Sequence, residues 1–370
     1  MTVARTRRAW IEVDLGVIRA NAAALAAFCA PAELCAVVKA DGYGHGAVQV
    51  AKAALDGGAS LLAVAVVEEG LELRQAGVDS PILVLADAPS EAIREAVAAR
   101  LSLTVSSAAS IDLVAAAGGD ATVHLKVDTG MHRVGCRLDE VVRLAHRISE
   151  SGLNCQGAWT HLACADDPDQ DDVTQLQLGR FDEVRAALMA ASPQPLRFHT
   201  ANSAVALYQP QSRHDLVRCG IALYGYAPSD KRGAPSGVGL NPALSLKAEI
   251  TSVRDVPAGE GVSYGWRRRR DDAGRVATVP LGYADGVPRS LSEHHAPVLV
   301  RGKRREIAGT VTMDQLMIDA GDDVEVGDEV VLLGAQGSDR ITADDWARMT
   351  GTISYEVLAR LGPRLFRRYT

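Results

Sequence analysis

CAVVKADGYGHG, residues 35–46, sets a short apolar run, CAVV, directly before a single lysine, Lys39, and a turn in which Gly42, Gly44 and Gly46 bracket Tyr43 and His45. Cysteine, alanine and paired valines read as a buried strand. A lysine amine is a poor nucleophile while protonated, so a lysine that bonds covalently to a carbonyl is held beside apolar or cationic groups that lower its pKa. The glycines let backbone approach a ligand closely. Taken alone, a lysine at a strand end is an ordinary solvated terminus that keeps its charge.

Working outward, residues 47–55 continue as a helix, and the strand-then-helix unit repeats. LLAVAV (61–66) precedes VEEGLELRQAG, PILVL (81–85) precedes SEAIREAVAA, and LSLTV (101–105) precedes AASIDLVAAAGG. ATVHLKV (121–127) runs through the loop DTGMHRVG into a helix over 138–150, and CQGAWT (155–160), LRFHT (196–200) and DLVRC (215–219) extend the series. About eight strands, each but the last followed by a helix, read as a closed parallel (βα)₈ TIM-type barrel, although alternation alone leaves an open doubly wound sheet possible. The polar residues favour the barrel. Lys39, Lys126 with Asp128, His161, Asn202 with Ser203, and Arg218 with Gly220 all fall at or just past the carboxyl ends of these strands. In a barrel those ends share one rim, where active sites are built.

AWIEVD (9–14) alternates as a strand ahead of the series. Beyond about residue 225, APSDKRGAPSGVGLNP is a glycine- and proline-rich linker. Short strands separated by glycine turns follow: ALSLKAEITSV, RVATVPLGY, APVLVRGK, REIAGTVTM, QLMIDAG and DEVVLLG. The expected organisation is a barrel with its amino-terminal strand over 1–238 and a mainly β carboxyl-terminal domain over 239–370. One helix, ITADDWARMTG, opens on a capping pattern.

The chain has 370 residues, 47% of them hydrophobic, and a net charge of −7. Its basic runs at 267–270 and 301–305 are short and adjoin acidic residues, which argues against a nucleic-acid footprint. Six cysteines without paired short spacing point to reduced thiols and a cytoplasmic location. The amino terminus lacks a signal peptide's apolar stretch, and no window approaches the roughly 18 apolar residues of a membrane span. His161 with Cys164 is an isolated H-x-x-C, too little for a metal site, and no metal is expected.

VVKADGYGHG resembles the pyridoxal phosphate attachment site of the alanine racemase family, and further motifs resemble that family in order along nearly the whole chain. The resemblance implies a fold-type III enzyme, a head-to-tail homodimer with shared active sites that interconverts L- and D-alanine and supplies D-alanine for peptidoglycan. It implies that Lys39 carries the cofactor and is one catalytic base, and that Tyr264 in GVSYGW, reaching in from the partner subunit, is the other. Tyr43, His161, Asn202, Ser203, Arg218, Gly220, Ile221 and Tyr355 would contact the cofactor, with Arg218 at the pyridine nitrogen. Arg133 in KVDTGMHRVG would grip the substrate carboxylate, steadied by Lys126, which is carbamylated in many members. Met313 and Asp314 would lie near that carboxylate, and Tyr283 and Tyr355 would narrow the substrate entrance. The chain departs from the pattern at Thr310 and Thr312, where many members have arginine and cysteine, and at His132, which replaces a common glycine.

Three other readings fit parts of the chain. A racemase of the same architecture with another small amino acid as substrate keeps every motif. A non-catalytic pyridoxal phosphate carrier built on a similar barrel would lack the β domain and Tyr264. A decarboxylase would carry a cysteine in its second domain, whereas no cysteine follows Cys219.

Overall fold

Nine strands in the first two-thirds of the chain explain the repeating pattern, and eight of them form one parallel sheet in the computed structural model, which describes residues 7–192, 194–233, 235–266, 268–269 and 271–370. They are β1 (Ala9–Val13), β2 (Glu33–Val37), β3 (Leu61–Val64), β4 (Ile82–Asp87), β5 (Ser102–Val105), β6 (Thr122–Lys126), β7 (Asn154–Trp159), β8 (Arg197–His199) and β9 (Leu216–Cys219). The sheet runs β8-β7-β6-β5-β4-β3-β2-β9. The Asp215 amide donates to Phe198 O at 3.1 Å and the Arg218 amide to Ala201 O at 2.9 Å, which brings β9 against the β8 segment and completes the ring. Parallel strands covered on both faces read as continuous apolar runs, and all four residues of β3 are buried.

Seven helices, one after each strand from β2 to β8, wrap this ring. Their inward stripes follow helical periodicity: in Val141–Glu150 the buried residues are Val141, Leu144 and Ile148. Each such aliphatic side chain contributes roughly 1.5–3 kcal/mol when fully buried.

The chain forms two units, one comprising Gly16–Gly42 and Ala47–Asn241, the other Met1–Leu15, Tyr43–Gly46 and Pro242–Thr370. Strand β1, grouped with the barrel in the sequence reading, belongs to the second unit. There it pairs antiparallel with Leu244–Glu249 (Ile11 opposite Leu246) and parallel with Phe366–Tyr369. Alternation marks a strand but is silent about which sheet takes it. The second unit also holds a three-stranded sheet of Ser252–Val256, Gly274–Val279 and Leu316–Ala320.

The expected strand REIAGTVTM is shorter than its pattern suggested. The regular strand is Lys303–Glu306; after an isolated bridge between Ile307 and Ile318, the segment up to residue 315 is irregular, with Gly309 at φ 75° and a turn closed by Thr312 and Gln315. A second helix, Ser354–Ala359, follows Ala343–Thr350, where one was expected. Of the basic run 267–270, Arg267 and Arg270 lie outside the described residues, as do residues 1–6.

Candidate active site

In the barrel unit, Lys39 stands directly beyond β2, and the chain then turns the wrong way round. Ala40, Asp41 and Gly42 have φ of 53°, 52° and 60°, a left-handed turn. Only Gly42 adopts this conformation freely; Ala40 and Asp41 cost roughly 1–2 kcal/mol each. Three bonds offset that strain. The Ala40 amide donates to Glu69 Oε1 at 2.6 Å, the Gly42 amide to Val38 O at 2.9 Å, and Asp41 Oδ1 accepts from the Ala47 amide at 2.9 Å. Glu69 Oε2 also accepts from the Ala65 amide at 2.7 Å, so one carboxylate ties the Lys39 turn to the end of β3. Burial, with Arg133 nearby, lowers the Lys39 pKa. That is the environment a nucleophilic lysine requires.

Lys126 ends β6 and is buried, its ammonium 4.3 Å from the centre of the Trp159 ring. Burial and the charges of Arg133 and Arg218 push its pKa down to about 8. The loop after it carries Arg133. Asp128 Oδ1 accepts from the amides of Gly130, Met131 and His132 at 2.9, 2.9 and 3.1 Å, while the Cys136 amide donates to Lys126 O at 2.9 Å. His132 sits at φ 55°, a left-handed position that suits the glycine it replaces. Gly135 has φ 142°, and a Cβ there would lie 2.5 Å from Asp128 N, so this loop closes only with glycine.

His161 follows β7 and is held neutral: burial, then Arg218, Arg133 and Lys126, push its pKa down to about 3, with a smaller effect from Lys39. Four cations from β2, β6, the following loop and β9 therefore converge on one histidine. Gln177, buried on the helix Asp171–Ala191, joins two of the loops. Its Nε2 donates to Thr129 Oγ1 and to His161 O, both at 3.3 Å, and its Oε1 accepts from the Ala163 amide at 2.9 Å.

Arg218 is fully held. Nη1 donates to His199 Nδ1 at 2.8 Å and His199 O at 2.9 Å, and Nη2 donates to Thr160 O at 2.8 Å and Thr200 O at 3.2 Å. Because Arg218 only donates, His199 carries its hydrogen on Nε2 and donates to His124 Nδ1 at 3.1 Å, which leaves the His124 hydrogen on Nε2. Trp159 stacks on His199 with 7° between the planes, and the Arg218 guanidinium lies 4.7 Å from its centre. Asn202 caps the helix Ser203–Tyr208, its Oδ1 accepting from the Ala204 and Val205 amides at 3.1 Å. Ser203 Oγ accepts from the Gly220 amide at 3.0 Å and the Ala222 amide at 3.4 Å, which joins the start of that helix to the turn at Gly220 and Ile221.

The second unit carries the remaining candidates. Tyr43 is buried, 6.1 Å from Tyr355 between ring centres, and its carbonyl accepts from His45 Nδ1 at 2.9 Å. Tyr264 is 74% exposed, Trp266 and Met313 are 53% and Tyr283 is 43%, an unusual set of large apolar side chains open within a single chain. The amides of Tyr283 and Ala284 donate to Thr312 O and Met313 O, both at 3.0 Å. Asp314 pairs with Arg364 at 2.7 Å. Fully buried Asp285 receives two 2.6 Å bonds from Arg7 and caps the Gly282 amide at 3.1 Å, fixing the turn that bears Tyr283.

Glu69, Gln177 and Trp159 escaped the sequence reading. Trp159 had a signal, since it ends the strand that leads into His161. Glu69 had only its place in the first helical turn, and Gln177 had none. Among the described residues no cluster of three metal-ligating side chains occurs.

Two family models match the chain: "Alanine racemase, N-terminal domain" over residues 13–228 and "Alanine racemase, C-terminal domain" over residues 243–369. Among similar proteins, alanine racemases of Frankia casuarinae and Thermobifida fusca are each 44% identical, covering 98% and 97% of this chain and 96% and 97% of their own. Among solved structures, alanine racemase from D-cycloserine-producing Streptomyces lavendulae superposes with a TM-score of 0.92 at 40% identity, covering 98% of this chain and 97% of its own. A histidine racemase from Leuconostoc mesenteroides superposes at 0.91 with 31% identity, covering 99% of each.

Proposed function

The chain belongs to the alanine racemase family of isomerases, and on that premise we propose that it interconverts L- and D-alanine with pyridoxal phosphate, using Lys39 and the partner subunit's Tyr264 as bases on opposite faces of Cα. The observation that carries this reading is the gathering of cations at the strand ends: Lys126 and Arg218 lie 4.3 and 4.7 Å from the centre of the Trp159 ring, and the charges of Arg133 and Lys39 act with theirs on His161. An excess of positive charge at a barrel mouth, two of its members (Lys126 and Arg218) buried, suits a ligand with a phosphate and a carboxylate.

The residues fit pyridoxal phosphate. All four Arg218 bonds leave from Nη1 and Nη2; Nε donates to none of them and suits a pyridine nitrogen as acceptor. Ser203, Gly220 and Ile221, with Tyr43 and Tyr355, would hold the phosphate, alongside His161 and Asn202. When bound, the cofactor draws electrons from Cα of an attached amino acid and so acidifies its hydrogen. An arginine at the ring nitrogen keeps its own proton and supplies no base there, which limits electron withdrawal and with it side reactions such as transamination. Lys39 Nζ holds or releases a proton on one face, and Tyr264 Oη does so on the other. Arg133 offers a planar fork to the substrate carboxylate, with Met313 and Asp314 beside it and Tyr283 and Tyr355 at the entrance.

What supports a shared site is the exposure of Tyr264 in its own chain. A head-to-tail homodimer would cover it. The product serves as the D-alanine of peptidoglycan, and the enzyme works in the cytoplasm. The likeness to a histidine racemase favours testing substrate directly. Each L-amino acid should be incubated with the cofactor-loaded protein and the D-product measured. Alanine should dominate, and Tyr264→Phe should abolish turnover while leaving the visible absorption of lysine-bound cofactor intact. Full activity in that variant would remove the tyrosine from the reaction.

A further inference from the structure

Tyr264 sits on a turn whose backbone few L-residues adopt: Ser263, Gly265 and Trp266 have φ of 65°, 77° and 45°. The ring is 74% exposed in its own chain, so the described residues give it little packing support. The turn must therefore be held through its main chain. One residue does this from both sides. Thr310 Oγ1 donates to Tyr264 O at 3.0 Å, and Ser263 Oγ donates to Thr310 O at 2.7 Å. Thr310 is buried, and the neighbouring Gly309 lets the two segments approach so closely that a Cβ there would stand 2.3 Å from Val262 O. Val262 and Ala308 pack in one apolar cluster with Val276, which anchors both segments at their bases.

We infer that Thr310 is a positioning residue that holds the Tyr264 turn in the conformation that presents the phenol for proton transfer. The inference rests on the proposed role of Tyr264 and deepens it. It also gives a reason for one departure from the family pattern: where many members carry arginine, a short hydroxyl side chain here reaches back to the adjacent turn. A hydroxyl is required, since valine matches threonine in shape but offers no donor.

Thr310→Val, Thr310→Ser, Ser263→Ala and Tyr264→Phe should be compared as cofactor-loaded enzymes, with cofactor absorption and thermal midpoint as folding controls. Thr310→Val should lower kcat about ten- to a hundredfold, the loss expected when a reacting group is displaced by about an ångström, and Thr310→Ser should restore most of it. The isotope effect of α-deuterated alanine should rise for one enantiomer only, the one whose hydrogen Tyr264 takes; a general structural defect would affect both alike. Amide hydrogen exchange across residues 262–266 should quicken in Thr310→Val and Ser263→Ala and stay slow in Thr310→Ser. Unchanged kcat and exchange in Thr310→Val, alongside an inactive Tyr264→Phe, would overturn this inference and leave the two-base reading standing. An active Tyr264→Phe would overturn both.

Discussion

Glu69 Oε1 accepts a 2.6 Å hydrogen bond from the amide of Ala40, the residue directly after Lys39. Its other oxygen takes the Ala65 amide at 2.7 Å, so both acceptors of the carboxylate serve backbone. Glutamine presents a donor where one of those amides points, and the left-handed turn loses a restraint. Glu69→Gln should lower kcat about tenfold or more through misplacement of Lys39. Borohydride trapping of cofactor on Lys39 should slow in parallel. Trapping at the normal rate would free Glu69 of this role.

Gln177 acts at longer range, joining the loop that bears Arg133 to the loop that bears His161. Replacing it with leucine removes all three of its bonds, to Thr129, His161 and Ala163, and with them the tie between the two loops. Gln177→Leu should raise KM for alanine more than it lowers kcat, because the proposed role of Arg133 is to grip the substrate carboxylate. A kcat loss with unchanged KM would contradict that assignment.

Two buried histidines, His124 and His199, and the half-buried His161 make the fold sensitive to acid. Burial and the Arg197 and Arg218 charges hold His124 down to about 4, burial and the nearby cations hold His161 down to about 3, and His199 lies well below its ordinary value. In the unfolded chain they titrate near about 6.5. Between that value and about 4 the unfolded state binds protons that the folded state refuses, so stability falls as pH drops through this window. Each histidine contributes up to about 1.4 kcal/mol per pH unit there. Urea midpoints at pH 7, 6 and 5 should decline steadily. A flat profile would mean that these groups have no depressed pKa in the folded protein.

With its pKa near 8, the Lys126 amine is largely available as a neutral nucleophile at mildly alkaline pH. Neutral Nζ can attack the carbon of carbon dioxide and release one proton to solvent, which leaves an anionic carbamate near Arg133 in place of an uncharged amine. Carbon-13 bicarbonate should then give a carbamate resonance that Lys126→Ala removes, and that variant should bind alanine less tightly. Persistence of the resonance in Lys126→Ala would assign it elsewhere.

Local pattern alone was enough to define the alternating units of the barrel, the helix capped by Thr342, and Lys39 at the end of β2. Periodicity records which face of an element is apolar, and turn chemistry records where it stops; both are short-range. Strand β1 was legible as a strand, yet its membership in the second unit depends on pairing with residues more than two hundred positions away. The Glu69 clamp, the Gln177 bridge, the Arg218–His199–His124 chain and the Thr310 bond to Tyr264 belong to the same class. Each joins groups whose meeting depends on how the chain is wound. Hydrogen bonds select partners by position in space, so only the tertiary structure could decide which polar residues hold the site and which simply face water.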